Sequence, residues 1–482
     1  MALTDKLTAI GDAIREKTGS TDKLTLDEMV TEIGSIEGGE IIEIDTHEGE
    51  DWLIISSYIK EIYENDRVTQ VGPYGGSSIP AYVVDLPNVT SIRQCSFKGN
   101  TYIKKLNLPQ ITNINTEALQ DTSNLKVINA PNINSLSESG LENLAAEYIS
   151  FPKLKTITGM YSIRNPKRLS CINFPNLEDA SAVIYGDSGE KLKYLCLPKL
   201  TYLDTYAFNN CKALTILDLP SVTSIAKPSS SYASPFYNCN SLQAIILRSE
   251  TLVPAQTIIG TLIPKLTSVP TYIYVPSTLL EEYKAATNWA AAADYIRAIE
   301  DYPDICDAPI GCYYDEEATT VNLIKTQTAG HVSLTGIHAP KATAIYAKYS
   351  NNLIYVNAPL YAVARNGDFL GCSKLNYLDL PSLYCVYQDA FMDCTTLKKV
   401  EFTADKKATI YANAFRNCSA LKTVILRHEG AVATIAGAHE GANSALTYYV
   451  PSSLLASYQE TYPDYTFATI EDHPEIEYAE CV

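Results

Sequence analysis

Seven prolines, each preceded by an apolar residue, divide the first half of this 482-residue chain at nearly constant steps. They are Pro87, Pro109, Pro131, Pro152, Pro175, Pro198 and Pro220, separated by 22, 22, 21, 23, 23 and 22 residues. The signal returns at Pro340, Pro359 and Pro381. A unit this short cannot bury its own apolar face, so its copies must stack into an elongated array. Binding or scaffolding is then expected ahead of catalysis.

Apolar residues alternate before each proline, as in Leu106 and Leu108, Leu195 and Leu197, Leu217 and Leu219, and Leu378 and Leu380. Period two predicts a short strand with one buried face. Proline ends it for want of an N–H. A further apolar residue follows two positions on (Val89, Ile111, Ile133, Leu154, Leu177, Leu200, Val222). Another comes three beyond that (Ile92, Ile114, Leu136, Ile157, Ala180, Leu203, Ile225). Each coil therefore points about five side chains into a shared interior.

The return arm reads Ala207-Phe208-Asn209-Asn210-Cys211, Phe236-Tyr237-Asn238-Cys239, Ala390-Phe391-Met392-Asp393-Cys394 and Ala414-Phe415-Arg416-Asn417-Cys418. A leucine follows three residues after each cysteine (Leu214, Leu242, Leu397, Leu421), and Gly371-Cys372 before Leu375 keeps the same register. This pattern resembles the BspA-type leucine-rich repeat family of bacterial surface and phage proteins. The resemblance spans most of 80–270 and 335–430. Coils between Pro131 and Lys191 lack the Phe and Cys and rest on strand and proline alone.

A larger duplication frames the coils. Tyr274-Val275-Pro276-Ser277-Thr278-Leu279-Leu280 with Tyr283 recurs as Tyr449-Val450-Pro451-Ser452-Ser453-Leu454-Leu455 with Tyr458, and each copy runs on to Ile-Glu-Asp (Ile299–Asp301, Ile470–Asp472). Serine after proline, opening a helix-periodic stretch, predicts an N-cap. Each segment reads as a strand plus helix closing an open array end. The expected fold is an α/β repeat solenoid: two tandem leucine-rich arrays of about 22-residue coils with strand–helix caps. Its divisions are a helical hairpin at 1–38, a linker and N-terminal cap at 39–79, array 1 at 80–301, a linker at 302–318, array 2 at 319–472 and a tail at 473–482.

In the hairpin, Leu3, Leu7, Ile10 and Ile14 keep helical spacing. Thr25-Leu26-Asp27-Glu28 is a capping box opening a second helix with Met29, Val30, Ile33 and Ile36. Two such helices are marginal alone, so Leu7, Ile10, Ile14, Met29 and Ile33 are expected to serve oligomerisation or attachment. The wording LTDKLTAIGDAIREKTGSTDKLTLDEM also resembles N-terminal segments of phage tail and fibre proteins of gut Firmicutes phages. That resemblance implies a virion partner.

A net charge of −18 argues against nucleic-acid or anionic-membrane partners. No apolar run of membrane-spanning length occurs, and the N-terminus reads as an amphipathic helix rather than a secretory signal. A surface-type repeat without export or anchor signals fits a virion protein folded in the host cytoplasm. The twelve cysteines do not read as a compact disulfide scaffold. Cys211, Cys239, Cys372, Cys394 and Cys418 should point inward as free thiols, whereas Cys306 and Cys312, flanking a linker, are the better disulfide candidates. The six histidines show no metal-binding spacing, although His-Glu-Gly occurs at His47, His428 and His439. No nucleophile elbow, Walker loop or dinucleotide fingerprint is present, so neither catalysis nor a cofactor is expected.

Two residues before each proline the side chain should face outward: Asp85, Asn107, Asn129, Ser150, Asn173, Cys196, Asp218, His338, Asn357 and Asp379. Four before come Lys105, Tyr148, Tyr194, Tyr355 and Tyr377. The Asn/Asp column suits a hydrogen-bonded ladder between coils. The 34 tyrosines against 10 phenylalanines suit half-exposed recognition positions. Tyr346, Tyr349, Tyr355, Tyr361, Tyr377, Tyr384 and Tyr387 are therefore the candidate ligand-binding residues, with the loop Lys227–Ser234 as a second region. The leading expectation is a non-enzymatic, homo-oligomeric phage tail-fibre or receptor-binding component meeting a bacterial surface glycan or protein. Alternatives are an exported bacterial adhesin, a glycan-degrading tail spike, which needs two carboxylates roughly 5–10 Å apart, and a purely structural virion or decoration protein.

Overall fold

The computed structural model describes residues 42–45, 52–55 and 60–481, apart from 66, 187–190, 228–229, 231–233, 257–269, 307–309, 316, 324–332 and 438–440. The helical hairpin, with Leu7, Ile10, Ile14, Met29 and Ile33, lies outside the described residues. So does most of the Lys227–Ser234 loop.

Each coil pairs with the next in parallel, giving a leucine-rich parallel β-solenoid. Lys105–Asn107 lies between Ala81–Asp85 and Val127–Asn129, with Leu106 opposite both Val84 and Ile128. The repeat of 22 thus becomes a ladder of equivalent residues. Leu106 N–H and its neighbours continue the ladder, and Leu108 donates its own N–H to Asn129 O at 2.9 Å before Pro109 turns the chain. The apolar residues after the proline form a second, shorter ladder through Asn113–Ile114, Ser135–Leu136, Thr156–Ile157 and Asp179–Ala180.

The return-arm motif has a direct structural meaning. Asn210, Asn238, Gly371, Asp393 and Asn417, each just before a cysteine, have φ between 60° and 75°. Asn, Asp and Gly are the residues that adopt the left-handed region at least cost. The phenylalanines stack coil on coil, Phe369 on Phe391 at 5.0 Å and Phe391 on Phe415 at 5.8 Å. The thiols of Cys372, Cys394 and Cys418 each donate to a carbonyl of the preceding coil, at 3.1, 3.2 and 3.0 Å. All twelve cysteines are free.

Most buried residues belong to two extended cores, one between Tyr63 and Ile296 and one between Val321 and Phe467. Each ends in a strand followed by a short helix: Tyr272–Val275 then Leu280–Ala285, and Thr447–Val450 then Leu455–Thr461. The expected serine caps are not made. Pro276 and Pro451 hold the N-cap positions without a side-chain bond. The Ser277 and Ser452 N–H groups donate instead to Glu300 and Glu471, at 2.9 and 3.1 Å, which accounts for the repeated Ile-Glu-Asp. Tyr283 and Tyr458 are buried and accept from Val253 and Ala433 N–H, at 3.0 and 2.8 Å, on the last full coil.

Three expected boundaries move. Lys60–Glu64 already pairs with Ala81–Asp85, so the coils begin about twenty residues early. Ile310–Tyr314, expected as linker, pairs with Ser333–His338 as the first strand of the second sheet. Residues Pro474–Cys481, expected as a tail, form two short 3-10 turns kinked at Tyr478 that pack between the two halves.

Candidate functional site

Outward strand positions were expected to form a continuous exposed face. In the structure the outward face of the N-terminal coils packs on that of the C-terminal coils. Val83, Lys105 and Val127 stand in one register column, and Tyr148 and Cys171 in its continuation. Facing them is the column Gly336, Tyr355, Tyr377. The Tyr148 ring stacks on Tyr355 at 4.5 Å and leans on Tyr377 at 4.7 Å. Val83, Val127, Ile354, Tyr355, Tyr377, Tyr478 and Cys481 are buried together there. A second apolar contact gathers Ala244, Ile246, Tyr274, Cys306 and Ile310. The physical reason is visible in the outward columns themselves: they carry too much Val, Ile and Tyr to stay in water as a broad patch.

Gly336 sits where the faces come close together. A Cβ there would lie 2.8 Å from Cys171 Sγ and 3.0 Å from Cys312 Sγ, so any larger residue would have to displace a thiol. The two thiols face each other across the junction, both close against Gly336. Cys312 thus faces Cys171 from the other half, and Cys306 and Cys312, the candidates for a bridge under oxidation, are both free thiols here.

Beside the tyrosines the faces diverge around a cavity of about 240 Å³. Tyr148, Tyr355 and Tyr377 form its aromatic wall, and Lys105, Lys399, Asp379, Glu401 and Glu480 bring charge. Glu480, from the C-terminal turns, bridges Lys105 at 3.3 Å and Lys399 at 3.4 Å. Burial would raise its carboxyl, but those two ammonium groups hold it below the usual carboxylate range. Glu401 is likewise held low against its burial, by Lys399 and Arg427. Desolvation between the sheets instead pushes Asp379 up, although its side chain still meets water. Burial keeps Tyr148 and Tyr355 well above their ordinary value, so both are neutral phenols at pH 7.

Two amides complete the wall. Asn357 is 8 % exposed and Asn376 6 %. Asn357 donates to Asp379 and Asn376 to Glu480 O at 3.4 Å, yet Oδ1 of each has no hydrogen-bond partner. The expected inter-coil ladder thus exists in part, as Asn357 to Asp379 and Asn173 to Ser150 at 2.9 Å.

The seven candidate tyrosines therefore do not share one surface. Tyr361 is in the core, where its hydroxyl donates to Asp368 at 2.5 Å. Tyr355 and Tyr377 are buried in the junction, which removes them from any external face. Tyr346 and Tyr384 are half-buried, and Lys406 lies 4.5 Å over the Tyr384 ring. Tyr349 is exposed beneath Lys348. Tyr387 stacks on Tyr411 of the next coil at 4.6 Å, the rings 41 % and 40 % exposed. Sequence reasoning overlooked Tyr411, although it stands opposite Tyr387 one coil on. It overlooked Lys399, Asn376 and Glu480 because no local pattern marks them. Of the His-Glu-Gly triplets only His428 is described, and its Nδ1 is 2.9 Å from Ala404 O. Among the described residues no cluster of three or more His, Cys, Asp or Glu could hold a metal ion, and no helix is long and apolar enough to cross a membrane.

The sequence model of the BspA type leucine rich repeat region matches six copies over residues 74–191, 182–257 and 346–455. Among solved structures, a leucine-rich repeat protein from Bacteroides ovatus is 15 % identical over 89 % of this chain and 98 % of its own, with a TM-score of 0.27. A leucine rich cell surface protein from Faecalibacterium prausnitzii is 14 % identical over 90 % and 96 %, with a TM-score of 0.25. No protein of curated function matches the chain.

Proposed function

Because the chain belongs to the BspA-type leucine-rich repeat family, we propose that it is a non-enzymatic recognition protein that attaches to a bacterial surface through its outer tyrosines. The observation supporting this reading is the Tyr387–Tyr411 pair, two large rings left in water on successive coils beside Tyr384 and Lys406. Tyrosine offers an apolar face with a polar tip at little entropic cost, the chemistry of recognition surfaces. The setting proposed is a phage tail fibre folded in the host cytoplasm, homo-oligomeric through residues 1–38. That proposal draws on the N-terminal wording, and an exported bacterial adhesin is its competitor. The test is binding of the full-length protein to whole cells of gut Firmicutes. Retention lost in the Tyr387→Ala, Tyr411→Ala double variant supports the reading. Equal retention of the two proteins, or none by either, overturns it.

A glycan-degrading role draws on a different observation. Asp379 and Glu401 line one cavity, the first pushed up and the second held low, as acid and nucleophile must differ. Against it, Glu401 is engaged by Lys399 and Arg427. Release of reducing ends from cell-wall glycan, abolished in Asp379→Asn, would establish this role, and its absence would leave recognition alone.

A further inference from the structure

Buried amide oxygens with nothing to accept from are costly, and folded proteins keep few of them. Two such oxygens, Asn357 Oδ1 and Asn376 Oδ1, belong to residues of neighbouring coils that line the same cavity. The groups around them are also mostly acceptors. Asp379, Glu401 and Glu480 outnumber Lys105 and Lys399, and both lysines are already engaged by Glu480. A ligand that satisfies this wall must therefore bring donors. An anion is disfavoured by the carboxylate excess.

The remaining wall is aromatic. Tyr148 and Tyr355 stack on each other and, with Tyr377, present carbon-rich ring surface to the cavity beside their hydroxyls. A ligand with hydroxyl donors on its rim and C–H groups on its faces matches both parts. The volume limits its size. About 240 Å³ lies just under the ~300–1,000 Å³ of sites for drug-sized molecules. A second hollow of about 310 Å³ begins at the shared residues Leu378, Asp379 and Glu401 and runs towards Arg427.

We propose that the cavity between the two strand faces binds a neutral pyranose sugar, one ring held against Tyr148, Tyr355 and Asn376 with room for a second towards Arg427. Asn357 and Asn376 accept from ring hydroxyls, and the tyrosines pack on the sugar's C–H face. Both halves of the chain supply the site, so it exists only when they are docked. The inference stands whether or not the outer tyrosines meet a cell surface.

The test uses the full-length protein with glucose, galactose and N-acetylglucosamine as probes, and ethanolamine as a small cationic comparison. Saturation-transfer NMR, irradiating the aromatic protons, should pass magnetisation to the ring protons of at least one sugar, with calorimetry giving a Kd of about 10 mM or tighter. Affinity should fall roughly tenfold in Asn376→Leu, for one lost hydrogen bond, and in Tyr148→Leu. It should be unchanged in Met160→Ala on the outer surface. Should Tyr148→Leu lower the melting temperature, Asn376→Leu and Asn357→Leu decide. Binding of ethanolamine alone, equal affinity in the asparagine variants, or no sugar bound at that concentration overturns the assignment and leaves a water-filled junction.

Discussion

The Tyr148 ring lies 4.5 Å from the Tyr355 ring at an interplanar angle of 16°, although 207 residues separate them in the chain. The stack joins the outward faces of two sets of coils. A surface that repeat architecture would offer to a partner is thereby spent on the protein itself, and recognition is left to other edges.

Removing either ring should loosen that junction. Tyr148→Ala and Tyr355→Ala are each expected to destabilise by about 2–4 kcal/mol. In a double-mutant cycle the pair should couple by about 0.5–1.5 kcal/mol. Denaturant unfolding of the four proteins checks this, and strict additivity would place the two rings apart in solution.

The two junction thiols give a covalent reading of the same contact. Diamide takes up two hydrogens from a dithiol as the S–S bond forms. Treated under native conditions, the protein should yield a linked peptide pair containing Cys171 and Cys312, seen by mass spectrometry without reduction. Cys171→Ser and Cys312→Ser should each abolish it, and Cys306→Ser should not. A Cys306–Cys312 product would contradict the register at Gly336.

Asp368 supplies a pH dependence. Buried against Tyr361, its carboxyl is pushed up to about 6 by desolvation, and its Oδ1 has no partner. In the unfolded chain it returns to about 3.9. Between those values the folded state binds the extra proton, so this group favours folding as pH falls from 7 to 5, by about 1 kcal/mol. The difference in unfolding free energy between wild type and Asp368→Asn should shift by that amount over the same interval. A pH-independent difference would show the carboxyl to be unshifted.

Two glycines should respond unequally to alanine. Gly99 has φ of 74° with nothing within 4 Å of an added Cβ, so Gly99→Ala bears only the left-handed cost of about 1–2 kcal/mol. At Gly159 the added atom would meet the Glu138 backbone at 2.3 Å, on the preceding coil. Gly159→Ala should destabilise by more than about 3 kcal/mol, because backbone cannot step aside as a side chain can. Thermal melts of the two variants rank them, and equal losses would refute the coil-to-coil approach at Gly159.

The coil itself was legible in the chain. Strand, proline turn, inward leucines and the Phe ladder follow from spacing, because each depends on residues within one repeat and on copies of itself next door. The Asn or Asp before each cysteine was legible as a motif, though its left-handed backbone was not read from it. The Ile-Glu-Asp repeat was seen without its use, since Glu300 and Glu471 act on serines about twenty residues away.

What the sequence determined by itself is therefore the repeat: a local period fixes which side chains face inward. Only the tertiary structure decided where the outward columns go. Tyr355, Tyr377 and Tyr148 read as exposed because alternation distinguishes inside from outside a coil, and says nothing of later coils arriving on the far face. Lys399 and Glu480 meet across 81 residues for the same reason. Their pairing, the thiols at Gly336 and the cavity with its two unsatisfied amides arise from docking, a long-range choice set by the shape and charge of two faces.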